Sequence, residues 1–201
     1  MSIRRRIFLG VIVLFSVGFY FLIDVIADDI EMRYRESTEE PLVDTARVLA
    51  SVASASVING QINLPLFKES FQNVHSQAFS AQIFGLVKNH VDLHLYMTNL
   101  DGTVIFDSSN GKDEGKDYSQ WRDVHLTLQG EYGARTSDIE NSDKKMIYVA
   151  SPILHRNDLI GVLSVGKPTN SSNKFALAAQ NKLIIGGTLA CIIFIIISLF
   201  L

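Results

Sequence analysis

The residues best equipped for chemistry gather in one run and two later segments. Trp121, Arg122, His125, Tyr132 and Arg135 fall within Tyr118–Arg135, and Tyr148 and Lys167 follow further along. Aromatic walls beside cationic donors suit a small carboxylate, because a guanidinium offers two parallel N–H groups to two carboxylate oxygens. Arg135 and Arg122 are the first candidates for holding such an anion. A plainer assignment competes, with Trp121 and Tyr148 as core and Arg135 paired to an acid such as Asp107.

Other constellations are poorer. His90 and His94 flank Asp92 at a spacing that would put two imidazoles on one face of a helix, as metal sites require. They fall where the chain turns into a strand, on which residues four apart are separated by roughly 13 Å. No metal is expected. Ser108, His125 and Asp107 could form a nucleophilic triad on paper, but Ser108 lies in no strand-turn-helix elbow. No glycine-rich phosphate loop is present, so no catalytic residue and no cofactor are assigned to this chain.

Elements must hold the seven candidates. Residues 30–59 read as a long helix, with Leu42, Ala46, Leu49, Ala53 and Val57 spaced by three and four and with Val43 and Ala50 widening the stripe. Pro41 is expected to open a second helical piece. Residues 63–89 read as short helices. His94–Ser108 reads as a hairpin around Asn99-Leu100-Asp101-Gly102, since Asp-Gly supplies the positive φ of a tight turn. Tyr118–Leu128 reads as a short helix over the sheet. Residues 145–154 and 159–167 read as strands joined at His155-Arg156-Asn157-Asp158, and Gly161 and Gly166 signal a bulge or a close backbone approach. The sum is an α+β domain with helices on an antiparallel sheet, in outline a PAS-like (Cache-like) extracytoplasmic sensor domain.

Apolar runs close both ends. Residues 7–27 are uncharged except for Asp24, and 183–201 form a second uncharged run. Twenty-one helical residues span roughly 30 Å, the thickness of a bilayer core. Arg4, Arg5 and Arg6 precede the first run while Asp28, Asp29 and Glu31 follow it, so the expected topology has residues 1–6 in the cytoplasm, crossings at 7–27 and 183–201, and an exported domain at 28–182. A cleaved leader competes, but the run exceeds the usual 7 to 15 apolar residues of such a leader. Residues 170–182 are expected to be a linker and helix into the second crossing, where Gly186 and Gly187 would let helices approach.

The exported stretch carries 20 acidic and 15 basic side chains, the latter scattered, which excludes a nucleic-acid surface. The single cysteine, Cys191, lies in the second apolar run, so a disulfide within the domain is excluded.

Tyr118–Arg135, together with 146–154 and 159–168, closely resembles the input region of CreC-type bacterial sensor histidine kinases, with supporting likeness at 44–50 and 95–108. That resemblance implies an inner-membrane two-component kinase working as a homodimer, partnered by the response regulator CreB and linked to carbon-source metabolism. It also implies a HAMP relay, a phosphoaccepting histidine and a domain using ATP and Mg, for which this sequence has no counterpart. The expectation is a truncated receptor without autophosphorylation. The same outer module feeding a chemoreceptor or a cyclic-dinucleotide enzyme, or a stand-alone two-crossing binding protein, are the alternatives.

Overall fold

A computed structural model describes residues 3–58, 60–83, 86–139, 142, 145–169, 181–182, 184–189, 192 and 196. Two compact units emerge, Met1–Ser37 with Ser171–Leu201, and Thr38–Asn170. In the first unit Gly187 lies against Phe19, whose ring would collide with any side chain there. Among the described residues no helix is long and apolar enough to cross a membrane. The expected crossing at 7–27 lies within the described residues, whereas the one at 183–201 falls partly outside them, as does nearly all of the linker expected at 170–182.

Helix α1 runs Ile3–Ala55 with Pro41 inside it, so the break expected at Pro41 does not occur. Proline forfeits one backbone hydrogen bond, and the Thr45 hydroxyl donates to the Pro41 carbonyl at 2.7 Å. In the second unit, α1 buries Leu42, Ala46, Ala50 and Ala53, at most 2% exposed each. Three alanines among four contacts let the helix lie close on a sheet. Val57, expected on the same stripe, instead belongs to a small hairpin, β1 (Val57–Ile58) with β2 (Gln61–Ile62).

The expected helices at 63–89 are realised once. α2 spans Leu64–Ser76, capped by the Asn63 side chain accepting from the Leu66 amide at 3.3 Å. A second hairpin follows, β3 (Ala81–Ile83) with β4 (Leu86–Lys88). The apolar residues scattered over 63–89 imitate a helical period, and three-residue strands are too short to show alternation.

The main sheet comprises β5 (His94–Thr98), β6 (Val104–Asp107), β7 (Ala134–Asp138), β8 (Lys145–His155) and β9 (Asp158–Thr169), ordered β6-β5-β9-β8-β7 and antiparallel throughout. Both expected hairpins form. Gly102 takes φ 82° in the first, and Arg156 and Asn157 take φ 52° and 75° in the second, the positive pair that a two-residue turn demands. Gly161 is a close approach, since any side chain there would strike the Thr98 carbonyl.

Alternation divides the sheet into two faces. Leu95, Met97, Phe106, Ile147, Val149, Leu163 and Val165 pack against α1 and Phe67 of α2. Tyr96 and Val104 pack on the other face with Tyr118, Val124, Trp121 and Tyr148. A register shift at Met97/Thr98 lets Phe106 and Val104 serve opposite cores. The second face is covered by α3 (Arg122–Leu128), shorter than the helix expected from Tyr118.

Candidate functional site

Four strands supply the floor of this second face. Arg135 stands opposite Tyr148 in the β7–β8 register, Tyr148 opposite Gly166 of β9, and Gly166 opposite His94 of β5. Two residues along, on the same face, Tyr96 stands opposite Ser164. From above, α3 inserts Asp123, which is fully buried.

Asp123 is the hub. Its Oδ1 accepts the Arg135 Nε–H at 2.9 Å, and its Oδ2 accepts the Ser164 hydroxyl at 2.9 Å and the Tyr96 hydroxyl. The Arg135 guanidinium carbon lies over two rings, 3.8 Å from the Trp121 centroid and 4.3 Å from that of Tyr148. Tyr118 stacks on the far side of Trp121 at 3.5 Å. Arg135 Nη1 donates to Ser137, whereas Nη2 is buried and has no hydrogen-bond partner among the described residues.

A second polar chain adjoins the first. In neutral His94 the observed contacts fix the tautomer: Nε2–H donates to Asp107 Oδ1 at 2.7 Å, and Nδ1 accepts the Tyr148 hydroxyl at 3.0 Å. Asp107 also accepts the amides of Ser109 and Asp113, each at 3.1 Å.

Burial and the buried partners together set the protonation states. Burial alone would raise the Asp107 carboxyl, but the His94 bond and the two amides outweigh it and hold the group below its ordinary value. Burial pushes the Tyr148 phenol up to about 12, and burial with the neighbouring Asp123 charge raises Tyr96 further. Both hydroxyls therefore remain donors at neutral pH. Burial disfavours the charged Arg135, yet Asp123 and Tyr96 more than compensate and raise it.

Of the seven residues singled out in the sequence, the fold brings three together: Trp121, Arg135 and Tyr148. Arg122 opens α3 and is exposed, and His125 is exposed with its ring against the Ser119 carbonyl and Gln129. Tyr132 is exposed and donates to Glu39 of α1. Lys167 follows Gly166 on β9, which puts it on the opposite face. The acid paired with Arg135 is Asp123 and not Asp107, which belongs to His94. Asp123, Tyr96, Ser164 and His94 are the members that sequence reading left out. Asp123 sits two positions after Trp121 with nothing to mark it as buried; Tyr96 was visible only as a strand residue, and His94 only as half of the His90/His94 pair weighed for a metal.

The other constellations are dispersed. His90 bonds the Asn89 side chain, Asp92 holds Lys88 at 2.6 Å, and the Ser108 hydroxyl accepts the Leu95 amide. Among the described residues no three His, Cys, Asp or Glu side chains form a group able to hold a metal.

Against known proteins, no protein-family model matches the chain. Sensor protein CreC of Escherichia coli K12 is 40% identical over 171 residues, 84% of this chain. The chain is a relative of CreC. It spans only 36% of CreC's length. In structure it is similar to the sensor domain of the V. cholerae histidine kinase DctB, with a TM-score of 0.53 at 14% identity, covering 79% of this chain and 60% of that one. The ligand-binding domain of the Campylobacter jejuni chemoreceptor Tlp3, solved with L-valine, aligns with a TM-score of 0.49 at 14% identity, covering 81% and 64%. The DctB likeness agrees with the α+β fold and its antiparallel sheet.

Proposed function

We propose that this chain is the signal-input region of a bacterial inner-membrane two-component sensor histidine kinase, anchored by crossings at 7–27 and 183–201, with 28–182 in the periplasm. The observation that carries this reading is the 40% identity to CreC across 84% of the chain. The arginine bias before residue 7 favours a cytoplasmic N-terminus. In this reading the whole receptor is a homodimer, and cytoplasmic domains using ATP and Mg phosphorylate a CreB-type regulator in response to carbon metabolism.

The signal enters at the Arg135 cluster. A guanidinium facing two aromatic rings, with one buried nitrogen that has no hydrogen-bond partner among the described residues, favours a small anion as ligand. Ligand binding shifts the population of sheet and helix arrangements, and α1, sealed on the opposite face of the same sheet, carries the bias toward the membrane.

The test replaces the matching region of E. coli CreC by this chain and measures regulator phosphorylation in membranes. The expected result is a membrane-bound, active chimera whose output shifts with Arg135→Gln or Trp121→Ala and is indifferent to Arg156→Ala. A chimera found in the soluble fraction, or one blind to both cluster variants, overturns the reading.

A further inference from the structure

Recognition of a buried carboxylate needs a cation, hydroxyl donors and exclusion of water, and all three converge on one point of the α3-covered face. The cation is Arg135 of β7; the hydroxyls are Tyr96 of β5 and Ser164 of β9. Every one of these donors belongs to the sheet. The carboxylate that they hold, Asp123, comes from a different element, a seven-residue helix laid over them. Arg135 is held independently of Asp123 by Tyr148 and Ser137 of the sheet, while Trp121, the residue before α3, covers it from the same side as Asp123, and its Nη2 has no partner among the described residues. The receiving groups are therefore positioned by one layer and the occupant is delivered by another.

We infer that β5, β7 and β9 form a carboxylate-binding site whose resting occupant is the chain's own Asp123 side chain, and that a free carboxylate of the formate or acetate class takes the same place once Asp123 is withdrawn. The inference rests on the Arg135 cluster being the signal site. It adds that the ligand must compete with a tethered carboxylate, so binding and release of α3 are one event. A ligand that left Asp123 in place would have no differential affinity for the two positions of α3 and would shift nothing. A neutral ligand would leave Arg135 without its counter-charge.

Removing the Asp123 carboxylate by Asp123→Ala leaves a void the size of formate, beside intact donors. The full chain in detergent is titrated with sodium formate against sodium chloride at equal ionic strength. Two quantities are read: the melting temperature and the emission of Trp121, the single tryptophan. Asp123→Ala is expected to bind formate at least about tenfold tighter than the unaltered chain, with stability rising as ligand linkage requires. Asp123→Ala combined with Arg135→Gln is expected to show only the chloride response. Equal formate responses in Asp123→Ala and the unaltered chain, or a double variant that responds like Asp123→Ala, overturn the inference. Should Asp123→Ala be unfolded in chloride, recovery of its circular dichroism by formate alone is the expected result, and failure to recover overturns it equally. Either failure leaves the sensor-kinase reading intact, because that reading is judged by phosphorylation and membrane retention of the chimera.

Discussion

The Tyr148 hydroxyl reaches His94 Nδ1 at 3.0 Å by passing over Gly166, which separates them on the intervening strand. A methyl group at Gly166 would lie 2.5 Å from Tyr148 Cε1, well inside contact distance. The glycine is therefore what lets one tyrosine ring lie across the sheet, with its hydroxyl on His94 and its face against Arg135. Through it the Asp107–His94 pair and the Asp123–Arg135 pair share a wall.

Gly166→Ala is accordingly expected to displace the Tyr148 ring and cost about 1–3 kcal/mol, the usual range for overpacking a dense interior. Urea unfolding measures the loss. The hydroxyl contact should disappear with it, seen as a changed His94 ring signal by NMR. An unchanged midpoint would mean that the ring has room the geometry denies it.

The Asp107 carboxyl has a folded pKa below its unfolded value of about 3.9. Its stabilising contribution is thus complete above the unfolded value and is lost as pH falls through the folded one. Asp107→Asn should flatten the stability profile below about pH 4 and, by weakening the buried bonds to His94 and two amides, cost about 1–3 kcal/mol at neutral pH. Denaturation midpoints recorded from pH 2 to 7 decide it. Parallel acid limbs in the two proteins would refute the assignment.

Arg135→Gln strips the counter-ion from a fully buried Asp123, a loss expected to cost about 3–5 kcal/mol. Arg135→Lys should recover only part of this, since an ammonium cannot face both the Trp121 and Tyr148 rings while holding both Asp123 and Ser137. A thermal series of the two variants should rank them in that order, with Trp121 emission altered in both. Equal stability of Lys and Arg at this position would discount the ring contacts.

On the opposite face, Ala46 is fully buried against the sheet. Ala46→Leu should push α1 away and cost about 1–3 kcal/mol, while Arg47→Ala, one position along and exposed, should stay within about 0.5 kcal/mol. Guanidinium unfolding of both variants measures the contrast. Similar losses in the two would argue against alanine-mediated contact.

Local signals settled much of the architecture in advance. The β5–β6 hairpin was legible because Asp101-Gly102 supplies a conformation that few other pairs adopt, and β8 and β9 because long apolar strands surround a four-residue polar turn. The α1 stripe was legible from its spacing. β7 was not, because Ala134–Asp138 is a polar edge strand whose Arg, Thr, Ser and Asp carry no alternation to detect. α2 was read in kind but not in extent.

The sequence by itself determined the α+β class, the paired hairpins and the aromatic and cationic composition of the run from Tyr118 to Arg135, since these depend on neighbours a few residues apart. Only the tertiary structure decided that Arg135 meets Asp123 rather than Asp107, and that Tyr96 and Ser164 join them. Those partners are 12, 27 and 41 residues apart in chain, and their meeting follows from strand register and the seating of α3. A buried charge must find its opposite wherever the fold places one, and no local pattern encodes that place.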